Sequence, residues 1–354
     1  MRYANERGSW EFVMPPMYRL TSKRTVEPQT ADGVVAMVHH PRSLDPFRRA
    51  GVPVVNTART LDDDDLIGLE IPSVLPDDAA VGELALQYFG DRGFRAFGFC
   101  GHPRAAWSRQ RRDAFVSACR AQGSSCSVTS AADEVSSEWL RSLPRSCGVL
   151  AANDRYAWHA IDACRELGIR VPEDLAILGV DNDALLTEMV RPTLSSVILP
   201  SERIGYEAAR LLDQMLRGKR IAPKLMKLPP EGVATRHSTD VLSIEDADVA
   251  EATRFIRENA AVPIAVQDIL NRVSMSRRNL ERRFKRALGR SLLDEIRRVH
   301  LDRAAKLLRE TDLDMPEVAR QSGFASAIRF STVFKEMMGT APSLYRRQRR
   351  RGVA

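Results

Sequence analysis

The sequence predicts an α/β domain built on a parallel sheet, followed by an all-α domain that meets a polyanion. Short Val- and Ile-rich runs alternate with segments of helical period through the first 220 residues, which is the rhythm of βαβ units. The last hundred residues instead carry an internal repeat, FKxxxG at Phe284-Lys285 with Gly289 and again at Phe334-Lys335 with Gly339. Charge divides at the same place, with 23 Lys and Arg against 12 Asp and Glu in residues 251–354 and 30 against 34 in the rest. A near-neutral front joined to a basic rear points to one body that does not bind nucleic acid and one that does. At 354 residues the chain is too long for one ordinary domain.

In the front part, strands are expected at Trp10 to Met14, Gly33 to Val38, Pro53 to Asn56, Phe94 to Cys100, Gly148 to Ala152 and Ala176 to Val180. Amphipathic helices lie between them. Val81, Leu84, Ala85 and Tyr88 share one helix face, with Asp77 or Asp78 placed to cap its first turn, and Ala157, Ala160, Ile161 and Cys164 share another, closed by Gly168. Ligands of parallel sheets sit at the carboxyl ends of the strands. Polar residues follow three of those ends: GHPRAAWSRQRRDAF after Cys100, Asn153-Asp154 after Ala152, and Asp181-Asn182-Asp183 after Val180. A sugar needs a flat apolar face and bidentate partners for adjacent hydroxyls, and Trp107, Arg111 and Asp181 are of the right types. The bland alternatives are that Asp154 caps a helix, Asp181 belongs to a turn, and Arg111 is solvated like Arg109 and Arg112.

In the rear part each repeat copy ends a helix that follows a short helix and a turn. Val266 to Val273, Ser274-Met275 and Ser276 to Leu288 make the first helix-turn-helix; Met315 to Gln321, Ser322-Gly323-Phe324 and Ser326 to Met338 make the second. Leu293, Ile296, His300, Leu307 and Leu308 are expected to stripe the linking helix. On the first reading helix Leu280 and Phe284 turn inward, leaving Ser276, Arg277, Arg278, Arg282, Arg283 and Arg286 outside. Arg277 and Arg278 are candidates for guanine, Arg282 likewise, and Arg283 and Arg286 for phosphate. The second helix offers Ser326, Ala327 and Arg329 near its start. The terminal run Arg346 to Arg351 reads equally as a basic tail.

ANDRYAWHAIDACRELGIRVPEDLAILGVDND, with the strand Thr193 to Val197 and a helix at Ser201 to Arg217, resembles the effector domain of LacI/GalR-type repressors and periplasmic sugar-binding proteins. The resemblance implies a two-lobed α/β domain over residues 1–240, with Asp181, Arg111 and Asn153 on the sugar. It also implies that the family's first strand is missing here, through a start codon placed too far downstream, the favoured reading, or through a real loss of sensing. RRVHLDRAAKLLRETDLDMPEVARQSGFASAIRFSTVFKEMMGTAPSLYRR is similar to AraC/XylS-type DNA-binding domains, which implies a double helix-turn-helix domain over residues 245–354. The two together resemble regulators of the xylose operon type. That implies an operator in double-stranded DNA, xylose or another pentose or hexose as effector, a homodimer, and RNA polymerase as a further partner.

No apolar run approaches the ~18 residues that span a bilayer, and MRYANERGSWEF is no secretory signal, so a cytoplasmic protein is expected. Cys100, Cys119, Cys126, Cys147 and Cys164 lack CxxC spacing, which favours reduced thiols over a metal site. No nucleophile, acid/base pair or metal cluster points to an enzyme, and no cofactor is called for. A constitutive or architectural DNA-binding protein with a vestigial sensor stays open beside the regulator.

Overall fold

The computed structural model describes residues 2–7, 10–13, 31–130, 135–244 and 246–350. These form two units, Met1–Phe89 with Arg95–Val241, and Gly90–Phe94 with Leu242–Ala354.

The first unit contains α1 (Arg2–Arg7), β1 (Val34–Ala36), α2 (Asp45–Ala50), β2 (Val54–Asn56), α3 (Asp63–Gly68), β3 (Ser73–Pro76) and α4 (Asp78–Gly90). After β4 (Ala96–Gly101) come α5 (Ala106–Ala121), β5 (Cys126–Ser130), α6 (Ser137–Ser142), β6 (Cys147–Ala151), α7 (Asp154–Glu166) and β7 (Leu175–Val180). It closes with α8 (Ala184–Met189), β8 (Ser195–Ile198), α9 (Ser201–Leu216), β9 (Leu225–Leu228) and β10 (Gly232–Ala234). The strands make two sheets, β1-β2-β3-β9 and β10-β8-β7-β6-β4-β5, and all pairings are parallel except β10 with β8. Each sheet is the centre of one lobe. The chain crosses between lobes after β3, after β8 and again between β9 and β10, so the strand ends of both lobes border the crossings. Helices cover both faces of the second sheet, which is why β6 and β7 are buried at every residue and read as unbroken apolar runs.

The alternating rhythm located five of the strands, β1, β2, β4, β6 and β7, to within two residues, and the family resemblance located β8 equally well. Of the strand expected at Trp10 to Met14, residues 10–13 are irregular and Met14 lies outside the described residues. Trp10 instead packs edge-on against Tyr3, with ring centroids 6.0 Å apart, beside the core of α9. Four strands had no clear signal. CSVTS of β5 pairs only with β4 and is half-exposed, SVLP of β3 ends in proline, and β9 and β10 are three or four residues each.

The second unit is helical: α10 (Ala247–Glu258), α11 (Val266–Arg272), α12 (Arg277–Leu288), α13 (Leu292–Glu310), α14 (Met315–Gln321), α15 (Ala327–Met338) and α16 (Pro342–Arg350). It has two cores. Val249, Ile256, Ile269, Leu280, Phe284 and Ile296 lie in the first, and Ala304, Leu308, Val318, Phe330, Phe334 and Tyr345 in the second. Helix α13 supplies both, its first half one core and its second half the other. Its buried stripe runs through Leu292, Ile296, Val299 and Leu301; Leu293, expected in that stripe, is exposed. The FKxxxG repeat now has a reason at each end. Phe284 and Phe334 are fully buried, while Gly289 (φ 75°) and Gly339 (φ 70°) take the left-handed conformation that ends a helix. Arg351, the end of the basic run, lies outside the described residues.

Candidate functional site

Three of the four residues expected on a ligand meet in the α/β unit. Arg111, on the first turns of α5, is buried to 3% exposure. Its guanidinium carbon lies 5.4 Å from the centre of the Trp107 ring, and its Nη1 lies 3.6 Å from Oδ1 of Asp181. The same Nη1 donates to the carbonyl of Ala152 at 2.6 Å, which ties α5 to the end of β6. Asp181 follows β7 with φ 109°, a strained turn that brings its carboxylate back over the strand ends. Burial pushes the Asp181 carboxyl above the usual range against the pull of Arg111.

The cap of α7 is Asn153 and not Asp154. The side chain of Asn153 caps α7 by accepting from the amide of Tyr156 at 3.0 Å. Asp154 is the buried one, accepting from the Ser196 hydroxyl at 2.6 Å and the Asp183 amide at 2.7 Å. Burial raises its carboxyl to about 7, although both hydrogen bonds oppose this. Asp183 in turn caps α8. The turn after β7 is therefore held by Asp154, while the half-exposed Asp181 faces Arg111.

Two residues of the site were not anticipated. Asp78, read as a possible cap, leaves that work to Asp77, whose carboxylate accepts from the Ala80 amide at 3.2 Å. Its own carboxylate is fully buried, with Oδ1 2.7 Å from Nε of Arg111 and Oδ2 3.0 Å from Nε of Arg59. Arg59 is equally buried and also pairs with Asp63, which Lys227 contacts at 2.7 Å. Burial would raise Asp63, but Lys227 and Arg59 outweigh it and hold the carboxyl at about 2. A chain of alternating charge thus runs Asp63, Arg59, Asp78, Arg111, Asp181. It joins the end of β2 in one lobe to the end of β7 in the other. Buried polar atoms ordinarily have partners. Nη2 of Arg59 and Oγ of Ser108, next to Trp107, are buried here without one. The strand-end rule, applied to Pro53 to Asn56 as well, would have pointed to Arg59.

On the helical unit, Arg277, Arg278, Arg282 and Arg286 are exposed along α12, with Lys285 beside them. Arg277 pairs with Glu281 at 2.9 Å, and Arg282 donates to Asn279 at 3.0 Å, both within the helix surface. The Ser276 hydroxyl precedes α12 without capping it. Arg283 departs from expectation. Its Nε donates to Asp246 at 2.6 Å and its Nη2 lies 3.0 Å from Asp248, so it points toward the start of α10 and not outward. The repeat explains this: fifty residues on stands Val333, a buried core residue of α15. At the start of α15, Ser326 caps the helix through the Arg329 amide, Ala327 is half-buried, and Arg329 is exposed. Ile328, not anticipated, is 82% exposed there.

Among the described residues no group of three or more His, Cys, Asp or Glu could hold a metal, and no helix is long and apolar enough to cross a membrane.

Comparison with known proteins supports both units. Residues 86–239 match a periplasmic binding protein-like domain and residues 269–348 a helix-turn-helix domain. The chain is 31% identical over 335 residues to the xylose operon regulatory protein of Haemophilus influenzae, covering 91% of this chain and 86% of that protein. It is 33% identical over 286 residues to the protein of the same name in Escherichia coli K12, covering 77% and 73%. A solved structure of the xylose-binding transcription activator xylR matches with a TM-score of 0.60 and 28% identity over 98% of this chain and 92% of that one. These relatives are transcription regulators and not enzymes. The chain belongs to the family of xylose operon regulatory proteins, DNA-binding transcription regulators that carry a periplasmic-binding-protein-like sensor.

Proposed function

We propose that this protein activates sugar-utilisation genes by binding operator DNA in response to D-xylose. The observation that carries the sugar reading is a buried donor without a partner, Nη2 of Arg59, joined through Asp78 to Arg111, with Trp107 and the half-exposed Asp181 beside that arginine. A polyol supplies the acceptor that donor lacks, two vicinal hydroxyls for the carboxylate, and a C–H face for the indole. Asn153 adds a side-chain amide at the neighbouring strand end. We assign the sensor to residues 1–240 and the DNA reader to residues 245–354. In the reader, Ser276, Arg277, Arg278 and Arg282 face base edges and Arg286 phosphate. Ser326, Ala327 and Arg329, with Ile328 among them, favour a weaker contact that includes a thymine methyl.

The working form in this reading is a cytoplasmic homodimer on two half-sites, with RNA polymerase as the further partner of the bound state. Titration calorimetry with D-xylose, L-arabinose, D-ribose and D-glucose tests the effector. D-xylose should bind with the highest affinity, and Asp181→Ala should remove that binding. Equal or absent binding of all four sugars would refute the sensor assignment. Light scattering of the free and DNA-bound protein tests the dimer.

A further inference from the structure

We propose that Arg236 is a positioning residue for the sugar site: through Asn182 it holds the turn that presents Asp181 to the ligand. The proposal rests on the sugar reading above.

The turn after β7 has a backbone that its residues do not adopt unaided. Asp181 (φ 109°) and Asn182 (φ 54°) are consecutive non-glycine residues at positive φ, a combination that persists only where the surroundings over-determine it. What the turn gives a ligand site is direction. Arg111 stands 3.6 Å from the Asp181 carboxylate, close enough to attract it but too far for a hydrogen bond that would fix it. The aim of the carboxylate is therefore set by the backbone of the turn, and whatever fixes that backbone sets the aim.

The main chain of the turn is tied at three amides. Asp181 donates to the Val197 carbonyl at 3.1 Å, Asn182 to the Ser196 hydroxyl at 2.9 Å and Asp183 to the Asp154 carboxylate at 2.7 Å. These anchors come from β8 and the start of α7. The Asn182 side chain has an anchor of its own. Its Oδ1 accepts from Nη1 of Arg236 at 3.0 Å, a residue 54 positions further along the chain and just past β10.

Arg236 is itself held more firmly than a surface arginine. Its Nη1 also donates to the Leu194 carbonyl at 3.0 Å, and its Nε donates to Glu188 at 2.9 Å. Its main chain is locked to Ser195, whose hydroxyl accepts from the Arg236 amide at 2.7 Å and donates to the Arg236 carbonyl at 2.9 Å. One guanidinium thus spans the excursion between β7 and β8, gripping the turn at Asn182, α8 at Glu188 and the return at Leu194. A lysine has no planar fork with which to serve three acceptors in fixed directions. Loss of the guanidinium leaves the three amide anchors in place, so the turn survives. It frees the side chain of Asn182, and with it the second of the two strained residues, so that Asp181 relaxes away from the ligand.

The test measures D-xylose affinity of the full chain by titration calorimetry, in the parent and in Arg236→Met, Asn182→Gly, their double variant and Glu188→Gln. Arg236→Met should raise the sugar Kd about tenfold, the lower end of what hydrogen bonds to a charged group contribute. Asn182→Gly accepts the left-handed backbone without strain while removing the acceptor, and should raise the Kd by a similar factor. The double variant should match Arg236→Met to within about twofold, the usual limit of additivity, and Glu188→Gln should match the parent as closely. A role confined to the fold is separated by monodeoxy analogues of D-xylose, each lacking one ring hydroxyl. The Arg236→Met penalty should shrink to within about twofold for at least one of them, the one whose missing hydroxyl Asp181 holds. A defect of the fold would weaken every analogue alike. If Arg236→Met does not fold, Asn182→Gly carries the same comparison across the analogues. A parent-like Kd in Arg236→Met, a Glu188→Gln variant as weak as Arg236→Met, or an equal penalty for all analogues would overturn the proposal. Failure of the parent protein to bind D-xylose is a different result. It removes the sugar reading first and this proposal with it.

Discussion

Arg111 and Asp78 meet through a 2.7 Å hydrogen bond at the foot of α4, and neither is more than 3% exposed. Because Asp78 also faces Arg59, it is the buried carboxylate that two buried guanidinium groups share. Removing one partner of a buried ion pair leaves a stranded charge. Asp78→Ala should destabilise the α/β unit by about 3–5 kcal/mol, read from the urea midpoint without sugar. Asp181→Ala, at a half-exposed carboxylate, should leave that midpoint nearly unchanged and act on sugar affinity alone. Equal midpoints for the two variants would contradict the assignment of structural and ligand roles.

Asp154 gives the unit a pH dependence of unusual sign. Its folded-state carboxyl is raised to about 7 by burial, so between the unfolded value near 4 and 7 the folded protein holds the proton that the unfolded chain releases. Stability should therefore fall as pH rises through that window. The contribution is complete below about pH 4 and lost above about pH 7. Asp154→Asn, which carries no proton to lose, should be more stable than the parent at pH 8 and show a flatter profile of urea midpoint between pH 5 and 8. A parent profile that rises over this range, unchanged by the substitution, would refute it.

The arginines of α12 divide into readers and anchors. Arg277→Ala or Arg278→Ala should cost about 1–3 kcal/mol on a duplex that the protein itself selects from a randomised pool and relax preference at one base position. Arg286→Ala should weaken all sequences alike and lower the salt slope by about one. Arg283→Ala should behave as neither, because Arg283 already serves Asp246 and Asp248. Its effect should appear as a lower melting temperature with an unchanged salt slope. Filter binding of each variant from 50 to 300 mM salt, roughly the range over which phosphate contacts are felt, separates the three classes.

The turn of the second helix-turn-helix depends on Gly323 and His300. Gly323 has φ 77°, and a Cβ there would lie 2.5 Å from Nε2 of His300, a fully packed ring that meets Phe324 edge-on. Gly323→Ala therefore combines an unfavourable backbone with overpacking, and should cost on the order of 2–4 kcal/mol. Hydrogen exchange should show the loss in α14 and α15 before α12. A melting temperature equal to the parent's would contradict it.

What the sequence determined by itself were the features set by short-range periodicity. The 3.6-residue spacing of Leu280, Phe284 and Leu288, and the glycine that follows, specify a helix and its end without reference to anything distant, and the fifty-residue repeat specifies it twice. Continuous apolar runs do the same for the inner strands β4, β6 and β7, since a strand covered on both faces has one composition wherever it lies. Trp107, Arg111 and Asp181 were legible because they follow such strands. Partnership was decided only by tertiary structure. Asn153 and Asp154 are neighbours with similar side chains, and which one caps the helix and which is buried depends on Ser196, forty-two residues on. Arg283 and Arg286 are equal as letters on a basic helix, yet one turns toward Asp246 on another helix and the other toward solvent. Asp78 and Arg59 entered the site through Arg111, 33 residues beyond Asp78. The free energy of a buried charge is set by the groups around it in space, and neither composition nor local spacing carries that information.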